Sequence, residues 1–101
     1  MKTIHIDCKL IKDKESLHDI FAAACEFPED YGRNWDAWID SLSDLKPHGK
    51  LTLIQLDHAE DLAGRKPKLF RKIVDGIAFI NWRQIEDGRA PLLALAYERQ
   101  G

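Results

Sequence analysis

The chain has 101 residues, 45% hydrophobic and 32% charged, with a formal net charge of −2. That length supports one core and not two, the composition excludes an intrinsically disordered chain, and no apolar run is long enough to span a membrane. The balance is uneven: residues 1–64 carry 7 basic and 13 acidic side chains, and residues 65–101 carry 8 basic and 4 acidic, so a bipolar surface is expected rather than a uniformly acidic one.

Thr3-Ile4-His5-Ile6-Asp7 alternates apolar and polar, the period of a half-covered strand. Met1 to Asp7 lacks a signal-peptide h-region, so a cytoplasmic location is expected. Asp13 or Ser16 can cap the next helix, with Asp19 as a box partner for Ser16. Leu17, Ile20, Phe21, Ala24 and Cys25 give that helix a stripe running to about residue 26, and Pro28 ends it.

Phe27 to Asn34 reads as a turn-rich lead into a second helix. Pro28 fixes its own φ, Gly32 offers a position where φ > 0 costs nothing, and Asn34 fits an N-cap. Asp36 follows in the first turn, where its charge suits the helix dipole. Trp35, Trp38, Ile39 and Leu42 form the apolar stripe at i, i+3, i+4, i+7. Asp36, Asp40 and Asp44 recur at i, i+4, i+8 and centre roughly 150° away on the wheel. Residues 26–44 hold six acids against Arg33 alone. Stacked like charges slightly weaken a helix, so the segment reads as a surface for a cationic partner.

Lys46-Pro47-His48-Gly49 is a breaker cluster. Leu51 to Leu56 follows as a strand expected to be covered on both faces or nearly so. Asp57 or a neighbour can cap a short helix through Leu62 that ends near Gly64. Pro67 suits the first turn of a fourth helix, with Leu69, Phe70, Ile73, Val74, Ile77, Ile80 and, at its end, Trp82 as the apolar side. Gly76 weakens this helix without ending it, and Glu86-Asp87-Gly88-Arg89 terminates it. Pro91 to Tyr97 is the last strand, with Pro at its start. Strands separated by helices imply parallel pairing with right-handed crossovers. The expected fold is therefore a small single α/β domain over residues 1–101, with a three-stranded parallel sheet and about four helices.

Pro28-Glu29, Tyr31-Gly32, Asn34, Asp36-Ala37 and Asp40 resemble the signature of the barstar family, proteinaceous inhibitors of secreted ribonucleases. Ser16-Leu17-His18 and the order of strands and helices are similar as well, so the resemblance covers most of the chain. It implies the same layout with the second strand central. It also implies Asp36 and Asp40 as the principal binding acids, with Gly32 and Asn34 in the loop that docks beside them. Where the family prototype has two tyrosines before the glycine, this chain has Asp30-Tyr31. Where the prototype has Trp before the second Asp, it has Ile39. The expectation is an immunity-type inhibitor, monomeric when free and not an enzyme, that meets a basic extracellular-type ribonuclease or related toxin. Glu29, Asp30, Tyr31, Gly32, Asn34, Asp36, Asp40 and Asp44 would form the contact, without membrane, cofactor, metal or direct nucleic-acid involvement.

Other constellations carry less. Cys8 and Cys25 are too few for a disulfide framework and lack zinc spacing, so both read as buried thiols in a reducing compartment. His18 and Cys25 share a helix face but stand about 10 Å apart along its axis, too far for a thiolate–imidazole pair. Asp57-His58 sits at a strand end where parallel α/β proteins often bind ligands, but reads as a cap beside a surface histidine. Asp36 and Asp40 on an open helix face lack the walls that would raise a carboxyl pKa for acid catalysis. The alternative to inhibition is a small nucleic-acid-binding module built on Arg65 to Lys72, where five of eight residues are basic and Phe70 could stack on a base.

Overall fold

The computed structural model describes residues 1–46 and 50–98. The break expected at Pro47, His48 and Gly49 lies outside the described residues. Three parallel strands, β1 (Lys2–Asp7), β2 (Thr52–Asp57) and β3 (Leu93–Tyr97), alternate with four α-helices, α1 (Lys14–Cys25), α2 (Trp35–Ser43), α3 (Ala59–Arg65) and α4 (Pro67–Glu86), plus a 3₁₀ turn at Cys8–Leu10. The strand order is β1-β2-β3, so β2 is central. The register runs from Lys2↔Thr52 to Asp7↔Asp57 on one side of β2 and from Thr52↔Leu93 to Leu56↔Tyr97 on the other.

In that sequential order, right-handed crossovers carry every connection over the same face of the sheet. Burial agrees. Ile4, Ile6, Ile54 and Leu56 are buried, whereas Thr3 and His5 on the opposite face are exposed and Leu53 and Gln55 are half-buried. The central strand, expected to be covered on both faces or nearly so, is thus buried on one face and half-buried on the other. Leu51, which made the run look two-sided, precedes the strand and is exposed. The last strand also starts two residues later than expected. Asn81 of α4 takes its leading backbone groups: Oδ1 accepts from Leu92 N at 3.1 Å and Leu93 N at 3.0 Å, and Nδ2 donates to Leu93 O at 2.7 Å.

Asp13 is the N-cap of α1. Its carboxylate accepts from Ser16 N at 2.8 Å, and Ser16 Oγ accepts from Asp13 N at 3.0 Å. Ser16 is thus the partner in the box, and Asp19 is free to do something else. The α1 stripe buries Leu17, Phe21 and Cys25, and with them His18. His58, beside Asp57, takes the N-cap position of α3 with φ 58°, but neither side chain hydrogen-bonds the helix end. Their side chains turn instead to β1, with His5 Nδ1 3.0 Å from Asp57 and His58 Nδ1 3.1 Å from Asp7.

α4 starts on Pro67 and runs 20 residues, burying Ile73, Ile77 and Ile80, until Gly88 takes φ 76°. Left-handed backbone suits glycine just past a helix end. Gly76 lies under Trp38: a Cβ there would stand 2.4 Å from Trp38 Cζ3. Trp82 is not on the apolar side. Two residues past Ile80 it is turned about 200° around the helix, and it is 55% exposed. Among the described residues, no helix is long and apolar enough to cross a membrane.

Candidate partner-binding face

α2 begins where the sequence places it. Asn34 Oδ1 accepts from Ala37 N at 2.8 Å, which satisfies one of the orphan donors of the first turn. The segment before it folds back on α1. Tyr31 N donates to Pro28 O at 3.0 Å, and the Tyr31 ring packs on Phe27 with centroids 4.8 Å apart. The left-handed residue is Arg33, with φ 53°, and not Gly32. A non-glycine residue there needs support. Arg33 finds it by pairing with the Asp19 carboxylate and donating to Glu15 O at 3.5 Å.

Beneath the loop, Tyr31 Oη and His18 Nδ1 share a hydrogen bond of 2.5 Å. His18 is 1% exposed, and burial holds its pKa below the ordinary histidine value. Burial also pushes the Tyr31 phenol up to about 12. The pair is therefore neutral near pH 7. His18 Nε2 and Trp38 Nε1 are buried without a hydrogen-bond partner among the described residues.

The inner face of α2 is an anchor. Trp38 and Leu42 are buried, Trp35 and Ile39 half-buried. Trp38 meets Phe21 edge-on at 5.3 Å and Trp35 edge-on at 5.4 Å. The outer face carries Asp36, Asp40 and Asp44, all exposed. The carboxylates of Asp36 and Asp40 make no hydrogen bond or ion pair within the described residues. Arg33, the single cation of the 26–44 segment, is drawn away to α1. Asp40 and Asp44 border a depression of about 350 Å³ whose other side is formed by Glu26, Phe27 and Pro28. Asp36 lies one turn before Asp40, outside that depression. Glu29, Asp30 and Gly32 are exposed on the turn leading into the helix. Tyr31 and Asn34 spend their polar atoms on holding the loop.

Two features were missed in the sequence. One is His18, whose burial follows from Tyr31 arriving over it, a contact 13 residues away in the chain. The other is a pair of exposed rings on α4: Phe79 and Trp82 stack with centroids 6.0 Å apart. The Arg83 guanidinium lies 5.1 Å from the Phe79 centroid and donates to Ser43 Oγ at 3.2 Å, which ties this patch to the end of α2. The i, i+3 spacing of Phe79 and Trp82, out of phase with Ile73, Ile77 and Ile80, was the available signal.

The other constellations keep structural roles. Both cysteines are buried and free, and burial raises their thiols to about 12, which leaves them protonated and poor nucleophiles. Among the described residues, no cluster of His, Cys, Asp and Glu could hold a metal ion. Arg65 of the basic segment is committed to Asp61, to Ile11 O at 3.0 Å and to Cys8 O at 3.1 Å.

Fold and face together describe a small parallel α/β domain with its helices packed on one side of the sheet and an acid-bearing helix at the surface. The chain belongs to the Barstar (barnase inhibitor) family, whose family model matches residues 1–94. It is accordingly a protein of the ribonuclease-inhibitor type. A search of curated proteins found no match.

Proposed function

We propose that this protein blocks the active site of a basic, secreted-type ribonuclease or related nuclease toxin with the outer face of α2 and the 29–34 loop. The observation that carries the reading is the pair of exposed, unpartnered carboxylates of Asp36 and Asp40 on a helix anchored by Trp38. A ribonuclease must stabilise phosphate charge, so its active site concentrates Arg, Lys and His. Carboxylates one helical turn apart can occupy those phosphate positions. Asp44 and the rim acids Glu29 and Asp30 extend the negative field, which speeds encounter and makes it salt-sensitive. The loop contributes shape: Gly32 leaves room for close approach, and Tyr31, Arg33 and Asn34 hold the backbone in place before a partner arrives, which lowers the ordering cost of binding. The same reading makes the protein a cytoplasmic immunity factor that acts as a monomer.

The test is inhibition of RNA cleavage by purified basic secreted ribonucleases at equimolar protein. At least one should be inhibited, with association slowing between about 50 and 200 mM salt. The double variant Asp36→Asn/Asp40→Asn should release the nuclease. A nuclease inhibited equally by wild type and double variant would show that another surface does the work.

A further inference from the structure

The basic segment at the start of α4 is left unused by inhibition through α2. In the structure it borders a groove of about 560 Å³ between the first turn of α1, Trp35 and the α3–α4 junction. Trp35, Pro67 and Leu69 give the groove an apolar lining, and Lys14, Lys66, Lys68 and Lys72 stand around it. The Lys72 ammonium lies over the face of the Trp35 ring, 5.0 Å from its centroid. A second depression, of about 590 Å³, shares Pro67, Lys68 and Lys72 and adds Arg71 and Asp75, so the cationic path continues along α4. Of the acids nearby, Asp13 is committed to capping α1, and Asp75 stands at the far end.

The chemistry of this path selects its ligand. One small anion would use two or three of the lysines and leave both the second depression and the indole unexplained. A chain of phosphates with planar bases uses all of them, because repeated anions follow the cations while a base lies on an aromatic face. We propose that the path from Lys14 through Lys66, Lys68 and Lys72 to Arg71 binds single-stranded RNA, with a base placed against Trp35. A base that stacks there takes the place of the Lys72 ammonium, which is left to pair with the adjoining phosphate. Phe70, the aromatic inside the basic segment, is not the platform: it is turned to Tyr97, ring to ring at 5.5 Å and 83°. Trp35, brought in from α2, replaces it. The site is of opposite sign to the Asp36–Asp40–Asp44 face and does not depend on a nuclease partner.

The experiment is fluorescence anisotropy of a labelled oligouridylate titrated with the full chain at several salt concentrations. Binding is expected at about 50 mM salt, weakening steeply toward 200 mM with a log–log slope of about −0.7 per phosphate contact. The triple variant Lys66→Gln/Lys68→Gln/Lys72→Gln should bind at least about tenfold more weakly and lose about two from that slope. Its denaturation midpoint verifies that it is folded. Trp35→Leu should weaken binding about fivefold or more with the slope unchanged, and should remove the tryptophan quenching that accompanies binding. Absence of binding at low salt, or a lysine variant that binds like wild type, overturns the proposal. An oligoglutamate peptide that competes as well as RNA of equal charge also overturns it and assigns the groove to an acidic protein segment.

Discussion

Replacing Gly76 with alanine should destabilise the protein, although helix propensity alone argues the opposite. In an ordinary helix interior the change would stabilise by about 0.5–1 kcal/mol, because glycine gives up more backbone entropy on folding. Here the added Cβ would stand 2.4 Å from Trp38 Cζ3 and 3.0 Å from Cη2. Carbon atoms pack best at about 3.5–4.0 Å, so the ring or the helix must yield by about 1 Å. The ring has no room to do so. Trp38 is fully buried and is held edge-on by Phe21 and Trp35. Overpacking of this kind costs about 1–3 kcal/mol, toward the upper end for a ring with no room to move, which leaves a net loss of up to about 2 kcal/mol after the propensity gain. Urea denaturation should show a lower midpoint with an unchanged m-value. In a Trp38→Leu background, where the obstructing ring is gone, Gly76→Ala should become neutral or stabilising, and the sign change measures the coupling. A Gly76→Ala variant of the otherwise native chain that is more stable by about 1 kcal/mol would refute the packing of α2 on α4 described above.

Three further outcomes follow from the same structure. Trp38→Ala should cost about 3–5 kcal/mol by denaturation, and Trp35→Ala clearly less, since only Trp38 is fully buried. Asn34→Ala should lose about 0.5–2 kcal/mol through the missing cap, read as a lower thermal midpoint. His18 imposes a pH dependence. In the unfolded chain it takes up a proton near 6.5, but burial lowers that value in the fold, so the unfolded state binds the proton first. Stability should be complete above about pH 6.5 and fall as the pH drops toward the folded value. His18→Gln should flatten the change in urea midpoint between about pH 7 and 5.5, and an equally steep decline in that variant would assign the effect to other groups.

The fold was readable where local chemistry acts alone. Asn34 and Pro67 announce helix starts, Gly88 a helix end, and the 3.6 and 2.0 periods mark the other elements. Most of the misreadings depend on partners distant in the chain; the local exceptions are Trp82, a matter of helical phase, and Asp19, displaced as box partner by Asp13. The central strand is only half-buried on its second face because sequential crossovers leave that side of the sheet without helices. The cap of α3 fell on His58, the neighbour of Asp57, but without a side-chain bond, because His5 and Asp7 of β1 claim the side chains of Asp57 and His58 across the sheet. The late start of β3 is set by Asn81 of α4. Gly76 looked like a tolerated weakness, whereas it makes room for an indole 38 residues earlier. The acidic face was legible because i, i+4, i+8 spacing is a property of one helix. That Arg33 and not Gly32 takes the left-handed turn was hidden, since its support comes from Asp19 on α1. The basic segment was legible as a run of charge, but its aromatic neighbour comes from α2.

The central claim, that the α2 carboxylates stand in for phosphate, is tested most directly by Asp40→Ala. Asp40 sits between Asp36 and Asp44 on the face, where a closing partner would desolvate it most fully, and hot spots gather at such centres. Against an inhibited ribonuclease, dissociation should quicken and affinity fall by roughly 2–5 kcal/mol, because the partner's cation loses its counter-charge. The denaturation midpoint should hold level or rise slightly, as i, i+4 repulsion is relieved. Glu29→Ala, at the rim, should instead slow association and reduce its salt dependence while leaving dissociation nearly unchanged. Both rate constants for the two variants, measured beside their denaturation midpoints, separate these effects. An Asp40→Ala variant that keeps its fold and dissociates at the wild-type rate would contradict the account.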